Sequence, residues 1–160
     1  MVIFNKIHLT AITLLFFGTI LNILPFSEAL VSKTPPILLL ILIYLSLAFP
    51  NQINLTYAFI SGIIMDILLI TPLGFNALCY TITIYLILLY YPQIRLQSNW
   101  NKMFSLLIIL IPYFFISTAV NGMLNIEYNI LDVCISILIS VLIWPGLFGM
   151  LRFIRQKYTS

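Results

Sequence analysis

The sequence predicts an all-α protein, a polytopic membrane bundle of six transmembrane helices, and two observations lead to this fold class. Of the 160 residues, 62% are hydrophobic and 7% are charged, whereas soluble domains carry roughly 25% charged residues. The apolar runs are also too long and too uniform for the alternating strands of a membrane β-barrel, and in lipid only helices or closed barrels satisfy their own backbone. The chain is therefore expected to be a helical bundle.

Six apolar segments remain when the chain is cut at Pro, Asn, Gln and clusters of charge. A span needs about 20 apolar residues, within a range of about 17 to 25, to cross roughly 30 Å of hydrocarbon. The second segment is shorter than this and the other segments reach it. We expect one integral membrane domain over residues 1–160, with spans at approximately 7–24, 36–49, 53–70, 75–91, 103–124 and 130–151.

The short second segment has defined ends. Pro35 and Pro36 stand at its start, and Pro50 follows its end. Because Pro is tolerated in the first turn of a helix and does not continue one, these residues indicate where the helix begins and ends. The segment contains no Gly and no internal polar residue except Ser46, whereas a re-entrant loop usually has more helix-breaking residues. Tilting or local thinning of the bilayer absorbs a short span at modest cost. These features favour a span.

The third and fourth segments are joined by the tight turn Thr71-Pro72-Leu73-Gly74. Pro72 disfavours helix at the residue before it, and Gly74 can adopt a positive φ or let two helices approach. In the sixth segment, Pro145 is expected to kink the helix, and Gly146 with Gly149 is expected to permit close packing. Trp144, beside this Pro, fits an interfacial aromatic belt.

The positive charges set the orientation, since Lys and Arg are retained in cytoplasmic loops. Six spans with both termini inside place six of the seven Lys and Arg in the cytoplasm and leave Lys33 outside. A five-span chain in which 36–49 only re-enters the membrane also places six Lys and Arg in the cytoplasm and one outside, because Lys33 and Lys6 exchange sides. We expect six spans and a basic cytoplasmic end that anchors to anionic lipid or contacts a partner. That end consists of Arg152, Arg155 and Lys157.

Asp66 stands alone in a hydrophobic run, where an unpaired carboxylate is costly. It lies about four residues, roughly 6 Å, beneath the outer end of the third helix, and it shares a helix face with Gly62 at i, i+4. One interpretation is a binding or relay site. The other is a carboxyl group that bonds a neighbouring helix and fixes the bundle. The second is favoured, because the other acids and the His lie at the ends of the predicted spans or outside them, and none is expected to form a relay with Asp66.

The inventory of reactive groups argues against an enzyme. The chain has one His, two Cys and four acids, and it contains no HExxH, no P-loop and no GxSxG motif with an acid and a His in reach. Most hydrolytic and redox mechanisms therefore lack their parts. We expect no catalytic residue, no cofactor, no metal site and no nucleic-acid partner.

Several features follow one another in a fixed order along nearly the whole chain. A Pro precedes the apolar second segment, Gly-x-x-x-Asp lies in the third, Pro-Leu-Gly-x-x-Ala-Leu opens the fourth, and a last helix with Trp-Pro ends in basic residues. This order resembles the rod shape-determining protein MreD family of bacterial inner-membrane proteins. The residues that carry the resemblance are Pro35, Tyr44, Gly62, Asp66, Pro72, Gly74, Ala77, Leu78, Trp144, Pro145, Arg152 and Arg155.

The resemblance implies a bacterial inner-membrane protein of the rod complex, or elongasome, which directs side-wall peptidoglycan synthesis. It implies binding to the single-span protein MreC. It also implies direct or indirect links to the actin-like filament MreB, to the glycosyltransferase RodA and to a penicillin-binding transpeptidase. The family is likened in fold to the substrate-binding components of energy-coupling-factor transporters, so a small-molecule-binding transporter subunit is the alternative function.

Overall fold

The computed structural model describes residues 2–23, 35–123 and 130–159. These ranges form six α-helices and no strand, which confirms the predicted all-α bundle. By length and composition, three stretches of the described chain could cross a membrane: Phe75–Leu96, Asn101–Ala119 and Leu131–Phe153. The helices are α1 (Val2–Ile23), α2 (Ile37–Ala48), α3 (Leu55–Leu69), α4 (Phe75–Leu96), α5 (Asn99–Met123) and α6 (Ile130–Thr159).

Helix α2 is the centre of the bundle. Every residue from Leu38 to Ser46 is buried, and the helix packs against α1, α4 and α6. A helix that is apolar around its whole circumference is buried on all sides. Its 12 residues rise only about 18 Å, less than the roughly 30 Å of hydrocarbon. The surrounding helices therefore make most of the apolar contacts with the side chains of α2.

The ends of α2 follow from its prolines. The helix begins just after Pro36, and the carbonyl of Pro35 accepts a hydrogen bond from the Ile37 amide at 2.8 Å. At the other end the Phe49 amide donates to the Leu45 carbonyl at 2.8 Å, and Pro50 follows. The start and stop that the sequence predicts for this helix are thus present.

The remaining helices are arranged around α2 in a simple order. Helices α3 and α4 form the most extensive helix pair in the described chain, and α4 also packs on α2 and α5. Helix α5 contacts α6, which returns to α2 and α1. The bundle is therefore built around α2, with the α3–α4 hairpin on one flank.

Helix α6 differs from the sequence expectations at three residues. A β-carbon built on Gly146 or Gly149 meets nothing within 4 Å, so no helix of the described chain uses the close packing that these glycines are predicted to permit. Trp144 is buried and its ring centroid lies 5.9 Å from that of Phe148. Trp144 is therefore a packing residue rather than part of an exposed aromatic belt.

The outer surface of the bundle is apolar. Large side chains on α1, α5 and α6 are more than half exposed, including Phe16, Phe115 and Leu142. Exposed apolar side chains in this number are unusual on soluble monomers. They suit helices whose outer faces contact lipid.

Candidate functional site

The α3–α4 hairpin closes on the backbone of Asp66. Helix α3 is followed by Ile70 in the left-handed region (φ 55°), and the Ile70 amide donates to the Asp66 carbonyl. The Thr71 amide donates to the same carbonyl at 3.1 Å. Gly74 then adopts φ 95° immediately before α4 begins, a conformation that glycine reaches without a steric penalty. The chain reverses within the few residues between the two helices.

The Asp66 side chain points into this turn and accepts five hydrogen bonds. Oδ1 accepts from the Thr71 hydroxyl at 2.8 Å, and from the Asn76 amide and side-chain Nδ2 at 2.8 and 2.9 Å. Oδ2 accepts from the Gly74 amide at 2.9 Å and, over a longer 3.4 Å, from the Ala77 amide. Asp66 is 1% exposed. The carboxyl group is thus enclosed by donors.

These bonds make Asp66 a cap for the neighbouring helix. The first amides of a helix have no partner within that helix, and Gly74, Asn76 and Ala77 stand at the start of α4. A side-chain oxygen that accepts from such amides stabilises the helix start, and a negative charge there also interacts favourably with the helix dipole. The cap normally comes from the residue just before the helix. Here it comes from the preceding helix, so it also ties α3 to α4.

Gly62 makes this capping distance possible. A β-carbon built on Gly62 would lie 2.2 Å from the Ala77 α-carbon and 2.5 Å from the Ala77 amide nitrogen. Gly62 and Asp66 lie one turn apart on α3 and both are buried. The lack of a side chain at Gly62 therefore lets the two backbones come into contact. Asp66 then accepts hydrogen bonds from amides at the start of α4.

The hairpin uses the hydrogen-bonding capacity of the Asp66 carboxyl group. A carboxylate has about four lone-pair sites, and the five donors already occupy them. Among the described residues no group of three or more His, Cys, Asp or Glu could hold a metal. Both carboxyl oxygens of Asp66 are used in bonds that hold the hairpin together, and this favours the packing interpretation.

The sequence did not identify Thr71 and Asn76 as partners of Asp66. The sequence predicts Thr71 only as a turn residue. In the structure, its hydroxyl also accepts a hydrogen bond from Asn76 Nδ2 at 3.2 Å. The available signal was a pair of short polar side chains on either side of the Pro72-Leu73-Gly74 turn. Such residues often bond nearby backbone or caps.

The other motif residues lie elsewhere. Pro35 precedes α2, whereas Tyr44, Trp144 and Arg152 gather around Phe148 near the far ends of α4 and α6. That cluster includes Arg95, about 28 Å along α4 from Asn76. Pro145 lies within α6 next to this cluster. The side chains of Arg155 and Lys157 lie outside the described part of the chain.

Comparison with known proteins gives the family. A family model for rod shape-determining protein MreD matches residues 3–154. The chain is similar to the rod shape-determining protein MreD of Haemophilus influenzae, with 27% identity over 150 residues that cover 92% of this chain and 91% of that protein. No solved structure matches the chain. Because the family model covers nearly the whole chain, including both helices of the Asp66 hairpin, the chain belongs to the rod shape-determining protein MreD family.

Proposed function

We propose that this chain is a non-enzymatic inner-membrane component of the rod complex, which binds MreC and helps to organise peptidoglycan synthesis for rod cell shape. The observation that carries the proposal is the family match over residues 3–154. The hairpin supports it, because the Asp66 carboxyl group is used to join two helices. A protein of this kind acts through its surfaces rather than through a reactive side chain.

The proposal includes an orientation. We place both termini in the cytoplasm with six spans, and the Asp66 hairpin at the outer side of the membrane. Arg95, Lys102 and Arg152 line a single cavity at the end of the bundle away from Asp66, and a cluster of cations at one end follows the positive-inside rule. MreC then has access to the outer end and to the lipid-facing helices, and MreB to the basic end.

Contacts with the other members follow the same division. RodA and the penicillin-binding transpeptidase would meet this chain within the membrane, directly or through MreC. The apolar outer faces of α1, α5 and α6 suit contacts with partner helices, which pack in lipid through shape and hydrogen bonds rather than through exclusion of water.

The test is co-purification in mild detergent from the native host. A tagged copy of the chain should recover MreC, whereas a transporter subunit would recover an ATPase and its coupling protein. Asp66→Ala should lower the recovery of MreC relative to Ile67→Ala, which truncates the exposed neighbouring side chain. Recovery of transporter subunits without MreC would reject the proposal.

A further inference from the structure

A cationic cavity opens at the end of the bundle away from the Asp66 hairpin, where α2, α4, α5 and α6 meet. Its volume is about 190 Å³, below the roughly 300–1,000 Å³ of pockets that hold drug-sized molecules. Arg95, Lys102 and Arg152 line it, and Tyr44 and Phe148 form part of its apolar wall. The cavity is sized for a small charged group.

The three cations have no acidic partner among the side chains that the structure describes. The Arg95 guanidinium donates to the Tyr91 hydroxyl and lies 5.8 Å from that ring's centroid. Lys102 Nζ lies 5.7 Å from the centroid of Phe148. Asp66, on α3, lies beside the opposite end of α4, where it accepts a hydrogen bond from the Asn76 amide. Three like charges around one cavity create a positive potential that an anion would relieve.

An apolar groove continues from this cavity. The groove, of about 460 Å³, shares Lys102, Phe148 and Arg152 with the cavity and extends over Trp144 and Gly149. Trp144 and Gly149 lie within Leu131–Phe153, one of the stretches that could cross a membrane. The groove therefore runs from the cationic end towards the apolar part of α6. A site with a cationic head and an apolar extension matches an amphiphile.

We propose that the cavity and groove bind one phospholipid with a net negative charge, with its phosphate among Arg95, Lys102 and Arg152 and one hydrocarbon chain along the groove beside Trp144 and Gly149. Guanidinium and ammonium groups are the usual partners of phosphate oxygens, and basic pockets between transmembrane helices bind anionic headgroups. An acidic peptide would satisfy the cations but leave the groove empty. This inference is independent of the proposed role in the rod complex.

The binding experiment uses the purified full-length protein in detergent, with native mass spectrometry to count bound lipid. Dioleoyl phosphatidylglycerol should bind saturably at one site. It should bind about tenfold or more tightly than dioleoyl phosphatidylcholine, which has the same chains and no net charge. Glycerol 3-phosphate, the soluble headgroup, should not displace it at equal concentration. Displacement by glycerol 3-phosphate would indicate a free-phosphate site and overturn the lipid assignment.

Two variants separate the cavity from general surface charge. Arg152→Gln should weaken phosphatidylglycerol binding about tenfold. Lys33→Gln should not, because it removes a positive charge just before Pro35, at the end of α2 away from the cavity. Gly149→Leu changes no charge, and its β-carbon meets nothing within 4 Å, so the new side chain begins in open space. That side chain fills the groove, so it should also weaken binding without lowering the melting temperature. Equal losses in Arg152→Gln and Lys33→Gln, or normal binding by Gly149→Leu, would overturn the proposal.

Discussion

Gly62 of α3 and Ala77 of α4 are in backbone contact, so close that a β-carbon on Gly62 would lie 2.2 Å from the Ala77 α-carbon. One turn further along α3, Asp66 bonds the Gly74 and Asn76 amides at 2.9 and 2.8 Å. The contact and the capping bonds depend on the same separation of the helices. A change that moves α3 from α4 therefore weakens both.

Gly62→Ala should reduce the free energy of unfolding, because the new methyl group meets backbone rather than a side chain that could turn away. Overpacking of this kind costs about 1–3 kcal/mol. Denaturation in detergent measures the effect. The matched control is Gly146→Ala, where the methyl group meets nothing within 4 Å and the gain in helix propensity is at most about 1 kcal/mol. If both variants behave alike, the close contact at Gly62 does not exist.

Asp66→Ala should be more damaging than any change at its exposed neighbours. It leaves the Thr71 hydroxyl and the first amides of α4 without their acceptor, and buried groups that lose a charged partner cost about 3 kcal/mol or more. Asp66→Asn should fall between Asp66→Ala and the native protein, because its amide keeps one acceptor oxygen. The melting temperature in detergent gives the order, with Ile67→Ala as control. If Asp66→Ala and the control have the same melting temperature, Asp66 does not stabilise the hairpin.

Asn76→Ala should cost less, about 1 kcal/mol, because it removes the side-chain bond to Asp66 but keeps the backbone one. Residues that share a bond couple in a double-mutant cycle. The loss in free energy of unfolding for Asp66→Ala with Asn76→Ala should therefore be smaller than the sum of the single losses. Strict additivity would mean that the two side chains do not interact.

The basic end of α6 should contribute to assembly at the cytoplasmic side. Arg152→Glu together with Arg155→Glu replaces two positive charges by two negative ones and should lower the amount of MreB recovered with the tagged protein. Phe153→Ala, which alters an exposed residue between them, should leave the recovery unchanged. Labelling of engineered cysteines on either side of the membrane checks the orientation. Normal MreB recovery in the double variant would limit these arginines to lipid contact.

The sequence predicted the hairpin but not the bonds within it. The i, i+4 spacing places Gly62 and Asp66 on one face of α3, and Pro72 with Gly74 indicates the turn. The spacing cannot give the rotation of α4 about its axis, which decides that the Asn76 and Ala77 amides meet Asp66. The donors to Asp66 are thus set by tertiary packing.

The position of α2 and the glycines of α6 were harder to predict for a related reason. Lipid and protein interior are both apolar, so an all-apolar segment such as Leu38–Ser46 looks the same whether neighbouring helices or lipid surround it. Small residues allow close packing without requiring it. Gly62 has a helix against it, whereas Gly146 and Gly149 have open space within the described chain.

The central claim is that this chain acts in rod cell shape, and depletion in its own host tests it most directly. Cell width and the ratio of length to width should be measured by microscopy as the protein is depleted. The account predicts a change from rods to wide or rounded cells. The native copy and the Ile67→Ala copy should restore rods, and Asp66→Ala should restore them poorly at equal expression. Cells that keep normal width and length without the protein would contradict the account.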